Sequence, residues 1–97
     1  MPVSEPTISG WIYDAHNHWW SRDFQGLHGN VAWMPPYLMQ PERWFAGLNG
    51  KPLTSVCGGD LRPVYTGPTE FADPEDGKRA VEAVARAVGC EVPERPQ

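Results

Sequence analysis

Two of the three histidines and an aspartate lie within five residues near the start of the chain, at Asp14, His16 and His18. The aromatic and β-branched residues around them predict a strand from about Ile8 to Ser21. Residues two apart on a strand point to the same side with Cα atoms about 6.7 Å apart, so both imidazoles could reach one metal ion. With His28 as a further ligand, the spacing predicts a site for Zn²⁺ or a similar divalent metal.

A zinc ion held by three protein ligands keeps an open position, where a bound water becomes a nucleophile near neutral pH. A strand with these histidines would therefore indicate a small metal-binding protein or a metal-dependent hydrolase. The competing interpretation is that Asp14, His16 and His18 are ordinary polar residues on a strand that faces solvent or a partner. We favour the competing interpretation, because the chain offers few residues to complete a ligand set. A serine hydrolase is not indicated either, since no serine lies in a nucleophile-elbow context.

The pentapeptide Asp14-Ala15-His16-Asn17-His18 resembles the HxH metal motif at the end of the first strand in amidohydrolases. The resemblance covers five of the 97 residues. Amidohydrolases are TIM barrels, typically of about 250 residues, with further metal ligands on later strands. A chain of 97 residues has no room for such a barrel and lacks the later histidines, so the resemblance does not make this chain an amidohydrolase.

Aromatic residues are concentrated in the first half of the chain, where all five tryptophans lie between residues 11 and 44. Alternation along the predicted strand places Trp11 and Trp19 on one inward face, and we expect both in the core with Phe45. A domain of this size can hardly bury every aromatic side chain, and Trp, Tyr, Met and Arg are enriched in binding hot spots. The alternative is that the remaining side chains close one end of the sheet. The sequence predicts an exposed partner-binding patch of Trp20, Arg22, Met34, Tyr37 and Met39.

The charge balance excludes some classes of partner. The net charge is −4 and the eight basic residues are scattered, whereas a nucleic-acid surface needs clustered Lys and Arg. No apolar run approaches the length of a membrane span, and the first residues lack the basic and apolar regions of a secretory signal. We therefore expect no nucleic-acid or membrane partner. Plentiful Arg, Ala, Gly and Pro with only two lysines favours a source organism with a high-GC genome. We expect a cytoplasmic location, or a location in the virion if a phage encodes the protein.

The clearest turn signal is Asn49-Gly50, which predicts a type I′ turn between two strands within residues 44–56. Pro52 places the second of these strands toward a sheet edge. A further strand is predicted over Val31–Met34, because it is apolar and is followed by two prolines that end a ladder. We predict a loop over residues 23–30 between this strand and the first one.

The strongest helix signal extends from Pro74 to Val88. Asp73 is a good N-cap, a proline occupies the first helical position, and Gly89 follows the last turn. Small apolar residues recur at steps of three and four and form a stripe that can pack on a sheet. We expect Glu82 and Arg86 to form an i,i+4 pair on the outer face.

These signals together predict a single α+β domain over residues 1–97, with ends that fray at 1–7 and 91–97. Its fold is a small antiparallel sheet of about four or five strands packed against one C-terminal helix. A disulfide between Cys57 and Cys90 is not implied. The favoured function is a non-enzymatic protein-interaction or assembly module, without a cofactor, that binds another protein or a second copy of itself. The alternative is the metal-binding protein or hydrolase, with Zn or a similar divalent metal.

Overall fold

The computed structural model describes residues 10–90 and residue 92 and has an α+β fold, with one C-terminal helix on a small antiparallel sheet. Its elements are β1 (Ile12–Asp14), β2 (Trp19–Phe24), β3 (Leu27–Met34), β4 (Arg43–Leu48), β5 (Lys51–Pro52), a 3₁₀ turn (Leu53–Ser55), β6 (Glu70–Phe71) and α1 (Pro74–Ala87). The first five strands are neighbours in chain order, and β6 also pairs with β4. The predicted fold class is confirmed. The ends predicted to fray lie outside the described residues, except for Val92.

The first predicted strand, Ile8 to Ser21, is wrong as a continuous element; its first two residues lie outside the described range. Strand β1 ends at Asp14, and residues 15–18 turn the chain back so that β2 pairs antiparallel with β1. This turn contains neither Gly nor Pro and is closed instead by hydrogen bonds to the Asp14 side chain. Residue types alone therefore indicate an unbroken strand where the chain reverses.

Two-residue turns join β2 to β3 and β4 to β5. The Gln25-Gly26 turn has φ values of 42° and 97°, and the Asn49-Gly50 turn has φ values of 52° and 78°. Both positive angles are those of a type I′ turn, which matches the twist of the strands that it joins. The predicted Asn49-Gly50 hairpin is confirmed, and Pro52 lies in the edge strand β5. The predicted loop over 23–30 is wrong, because β2 and β3 continue as paired strands up to their tight turn.

Helix α1 begins and ends at signals that are visible in the sequence. The Asp73 side chain accepts a hydrogen bond from the backbone N of Glu75 at 2.7 Å, and Pro74 lies in the first turn. The last helical residue is Ala87, and Gly89 follows with a φ of 99°. The predicted helix is confirmed to within one residue. No helix in the described part of the chain has both the length and the apolar character needed to cross a membrane.

The helix packs against β3, β4 and β6. Gly29 of β3 permits a close approach, since a Cβ there would lie 2.7 Å from a methyl carbon of Val81 and 2.8 Å from a ring carbon of Phe24. Cys90 packs beside the core, and both it and Cys57 are free thiols. The buried core consists of Trp11, Phe24, Val31, Ala46, Leu48, Leu53, Val81, Val84, Ala85 and Val92.

Strand alternation gives the sheet one face under the helix and one open face. Trp20 points toward the helix, where Nζ of Lys78 lies 3.3 Å from the centre of its ring. The neighbouring Trp19 therefore points away, in a cross-strand row that also contains Phe45. Trp11 is fully buried as predicted. The prediction is wrong for Trp19, which is 37% exposed, and for Phe45, which is half-buried; neither belongs to the buried core. The turn after β1 changes which residues of the segment point inward, so the predicted alternation fails beyond it.

A buried carboxylate joins the helix to the sheet. Glu82 is 4% exposed and accepts hydrogen bonds from Nε1 of Trp11 at 2.9 Å and from Nη1 of Arg22 at 3.1 Å. The expected outer-face pair between Glu82 and Arg86 is wrong, because the Glu82 side chain turns toward the sheet. Arg86 instead donates to the backbone oxygen of Val92.

We predict that Glu82→Ala lowers the free energy of unfolding by about 3 kcal/mol, because removing one member of a buried ion pair leaves the other charge uncompensated. The indole N–H of Trp11 would also lose a buried acceptor. Urea denaturation followed by circular dichroism measures the change. The matched control is Asp76→Ala, which removes an exposed helix carboxylate 3.3 Å from Arg79 and should lower stability by no more than about 1 kcal/mol. Equal losses in the two variants would contradict the prediction.

Candidate recognition surface

Asp14 closes the turn between β1 and β2 and does not point along a common face with the histidines. Its Oδ1 accepts from the backbone N of His16 at 2.9 Å and of Asn17 at 3.2 Å, and its Oδ2 accepts from Nδ2 of Asn17 at 2.8 Å. The side-chain bond from Asn17, followed by the backbone bonds, holds the pKa of Asp14 below its ordinary value of 3.8. Asp14 thus replaces the missing Gly or Pro as the residue that makes the turn.

The three histidines lie toward opposite ends of the sheet. His16 and His18 are in the exposed turn after β1, and the His18 ring lies 5.2 Å from the ring of Trp33 near the end of β3. His28 lies at the start of β3, where its Nδ1 is 2.8 Å from Oδ1 of Asp23. His28 and Trp33 are five residues apart on this strand, which is roughly 16 Å. His28 is therefore too far away to share one ion with His18.

The structure does not bring the predicted metal ligands Asp14, His16, His18 and His28 together. Within residues 10–90 and 92, no group of three or more His, Cys, Asp or Glu side chains is placed to hold a metal ion. The alternation that would have aligned the first three is interrupted by the turn at 15–18. Metal binding stays a prediction from the sequence, without support from these contacts.

Two members of the predicted partner patch face the helix. The Trp20 ring lies against the Lys78 ammonium group, which also binds the Glu75 carboxylate at 2.7 Å. The Arg22 side chain is 14% exposed and is paired with Glu82. Trp20 and Arg22 therefore stabilise the contact between helix and sheet, and little of either side chain is available to a partner.

The other three members lie at or beyond the end of β3. Met34 is half-buried at the last position of the strand. Tyr37 and Met39 are 71% and 96% exposed, and Leu38 between them is 86% exposed. We call Tyr37, Leu38 and Met39 the apolar tip. It is the longest run of exposed large apolar side chains among the described residues.

The backbone of the apolar tip is closed into a tight turn. The backbone N of Tyr37 donates to the oxygen of Gln40 at 3.1 Å, and the N of Gln40 donates back to the oxygen of Tyr37 at 2.9 Å. Leu38 has a φ of 54°, in the left-handed region. This conformation costs an L-amino acid other than Gly or Asn about 1–2 kcal/mol. The apolar tip is thus an ordered turn with a strained residue at its centre.

Contacts on both sides hold the loop that carries the apolar tip. Pro35, Pro36 and Pro41 each fix their own φ near −65°. On the far side, Nε of Arg43 donates to Oε1 of Glu70 at 2.8 Å, and Nη1 of Arg43 lies 3.4 Å from the oxygen of Pro41. The loop is therefore tied to the end of the sheet, and the three apolar side chains project from a stiff support.

Leu38 is the residue of this surface that the sequence did not indicate. The predicted patch was chosen from residue types enriched in hot spots, and Leu is under-represented there. The available signal was the position of Tyr37-Leu38-Met39 between prolines, which indicates a turn and hence exposure. A positive φ at Leu38 has no signal in residue type, because Gly and Asn are the usual residues in that conformation.

Comparison with known proteins assigns this fold and surface to no family. The chain matches no protein-family model, and neither the curated proteins nor the solved structures include a significant match. Any functional interpretation therefore depends on the residues and contacts described above.

We predict that Asn17→Ala raises the pKa of Asp14 toward 3.8, because the largest cause of the lowered pKa is removed. In the wild type the ionised Asp14 stabilises the folded turn at pH values above 3.8, and this contribution is lost as the pH falls through the lowered pKa. An NMR titration of the Asp14 carboxyl carbon measures both values. Asn30→Ala, which removes an amide distant from the turn, should leave the pKa unchanged. An Asp14 pKa unaffected by Asn17→Ala would show that the side-chain hydrogen bond is not the cause.

Proposed function

We propose that this protein is a non-enzymatic interaction module whose recognition element is the apolar tip, Tyr37, Leu38 and Met39. One observation carries the proposal: three consecutive large apolar side chains are 71% to 96% exposed on a turn with a closed backbone. Single exposed apolar residues are normal on protein surfaces, whereas a contiguous group marks an interaction site. The proposed recognition site is thus smaller than the predicted patch and is confined to the projecting tip of the loop after β3.

The apolar tip contributes little to the stability of the isolated protein. Its side chains are too exposed to gain from burial, and Leu38 adopts a φ that is unfavourable for leucine. Backbone strain at a surface position is a feature of recognition and switch sites, where binding rather than folding requires the residue. These properties support selection of the three side chains for contact with a partner.

Leu61 offers a comparison within the same chain. It is 83% exposed and has a φ of 65°, so its exposure and conformation match those of Leu38. Its neighbours, however, are Asp60 and Arg62, whose side chains approach to 3.9 Å. Leu61 is thus a single apolar residue among charges. The continuity of the apolar surface, rather than strain alone, distinguishes the loop after β3.

The size of the apolar tip indicates the kind of partner. Burying a Leu, Met or similar side chain completely is worth about 1.5–3 kcal/mol, and association consumes much of this gain. Two apolar tips pressed together would bury little surface, well below the roughly 1,000 Å² of a specific interface. A concave apolar groove that encloses all three side chains would bury much more. The partner that fits is therefore a different protein with such a groove, bound with moderate affinity.

A protein groove suits the apolar tip better than a lipid surface does. The loop Pro35-Pro36-Tyr37-Leu38-Met39-Gln40-Pro41-Glu42 contains no Lys or Arg, and the chain carries a net charge of −4. Segments that insert into the surface of membranes commonly add basic residues that attract anionic lipids. The prolines and the closed turn also fix the tip before binding, which reduces the entropy lost on docking.

We predict that the double variant Leu38→Asn/Met39→Ser binds the partner at least tenfold more weakly without losing stability. Asn is favourable at positive φ, so the free energy of unfolding should stay the same or rise by up to about 1 kcal/mol. A photo-crosslinking amino acid in place of Met39 identifies the partner in cells of the source organism. Calorimetry with the two purified proteins then measures the affinity, and urea denaturation measures the stability.

Leu61→Asn is the matched control, because it makes the same change at an exposed leucine with the same backbone conformation. It should leave the affinity unchanged. The proposal is wrong if crosslinking from position 39 yields no protein adduct, or if the double variant binds as tightly as the wild type. Binding of the apolar tip to phosphatidylcholine–phosphatidylglycerol vesicles, abolished in the double variant, would replace the protein partner with a membrane.

A further inference from the structure

The face of the sheet opposite the helix, which we call the open face, carries aromatic side chains that the proposed interaction does not use. Trp19, Ala32 and Phe45 form one row across β2, β3 and β4, and Asn30 and Gly47 are partners in the next row. Trp19 is 37% exposed and Phe45 is half-buried. Large aromatic residues thus stand on either side of small ones, and together they form an aromatic recess in the surface of the sheet.

Gly47 keeps the floor of the aromatic recess low. A Cβ at this position would lie 2.8 Å from the backbone oxygen of Lys51 and 3.7 Å from a ring carbon of Phe45. The side chain of Lys51 belongs to the other side of the sheet, because the residue pairs with the buried Leu48. Near this floor Lys51 therefore presents a carbonyl oxygen rather than its ammonium group. The cavity has a volume of about 310 Å³, at the lower end of the range for small-molecule sites.

The charged side chains of the open face are mostly acidic. Strand alternation and pairing place three carboxylates and one guanidinium on the strands of this face, namely Asp14, Asp23, Glu70 and Arg43. Two of the carboxylates are direct cross-strand neighbours of the aromatic walls, since Asp14 pairs with Trp19 and Glu70 with Phe45. Both walls are therefore flanked by acids.

The guanidinium of Arg43 does not balance all of these acids. Its Nε donates to Glu70 at 2.8 Å, and its Nη1 lies 3.4 Å from the oxygen of Pro41. Asp23 is instead bound to a ring that also lines the cavity, because its Oδ1 lies 2.8 Å from Nδ1 of His28. The Asp23 side chain is 85% exposed. The aromatic recess thus has a carboxylate beside one of its lining residues.

We infer that the aromatic recess binds a small organic cation, with a methylated ammonium group against Trp19 and Phe45 and the Asp23 carboxylate nearby. The negative face of an aromatic ring attracts such a cation, and Trp is the most effective ring. Asp23 is about 7 Å from Asn30 by strand geometry, which is within the Debye length at physiological salt. Its charge therefore acts on a ligand that lies over Asn30 and Gly47. This inference is independent of the apolar tip.

A cation fits the aromatic recess better than an anion or a second copy of the chain does. An anion would meet the carboxylates of the open face without a free cation to bind it, since Arg43 is already paired. The apolar tip of a second copy could contact the aromatic rings. It contains no Lys or Arg, however, and would leave the charge of this face unchanged. Charge complementarity therefore selects a small cation.

The test is a titration of the ¹⁵N-labelled full chain, followed by amide and indole NMR signals. The probes are choline and 3,3-dimethylbutan-1-ol, a neutral molecule of the same shape in which carbon replaces the charged nitrogen. We expect saturable shifts at Trp19 Nε1–H, Asn30 and Gly47, with a dissociation constant of roughly 1 mM for choline. The neutral alcohol should bind at least about fivefold more weakly, because it keeps the apolar contact and loses the cation–π attraction.

Two variants separate the contributions of ring and charge. Trp19→Leu keeps an apolar side chain without a ring, and it should bring the affinities for choline and the alcohol to within about twofold of each other. Asp23→Asn should weaken choline binding about twofold at low salt and leave binding of the alcohol unchanged. Asp76→Asn is the matched control, because it removes the same charge from the helix on the other side of the sheet. It should leave both affinities unchanged.

The inference is overturned if the wild type binds choline and the alcohol equally, or if the shifts map outside the aromatic recess. It is also overturned if the preference for choline survives in Trp19→Leu. Shifts that depend on protein concentration without ligand would assign the open face to a second copy of the chain instead. If Trp19→Leu disturbs the fold, Phe45→Leu removes the other ring, and the pair of probes on the wild type still decides.

Discussion

The Glu82 carboxylate lies between helix and sheet, and the arrangement of the rest of the protein depends on it. A buried charge is costly unless its partners replace the lost water. Here the indole N–H of Trp11 and the guanidinium of Arg22 do so, at 2.9 Å and 3.1 Å. These two residues lie just before β1 and in β2, so one helix residue fixes both elements. Because side chains alternate along a strand, an inward Arg22 also requires an inward Trp20 and an outward Trp19.

This constraint determines which residues remain for recognition. Trp20 and Arg22 have the residue types of a binding hot spot, but Lys78 and Glu82 of the helix engage them. Their enrichment in interfaces arises from the same properties that make them useful here: large apolar area with a polar or charged group. The surfaces left exposed are therefore those that the helix does not reach, namely the outward face that carries Trp19 and the loop after β3.

The sequence predicts the elements whose boundaries are set by local chemistry. Asp73 and Gly89 mark α1, and Asn49-Gly50 marks a hairpin, because each residue satisfies a backbone requirement that few others can. The turn after Asp14 was missed because its hydrogen bonds come from one side chain within an aromatic strand. Glu82 was misplaced because a helical acid four residues before an arginine usually faces water. Its true partners are 60 and 71 residues away, and local pattern carries no information about them.

The candidate surface follows from one physical condition: it carries apolar side chains that the core does not require. The core is complete with Trp11, Phe24 and the aliphatic residues beneath the helix, and its buried polar atoms are satisfied among the described residues. Exposed apolar side chains such as Leu38 and Met39 gain nothing from folding, and the strained φ of Leu38 opposes it. In a small domain with little stability to spare, such positions persist when contact with another molecule compensates for them. We therefore expect stability and the proposed recognition to depend on different residues, so that each can be changed without the other.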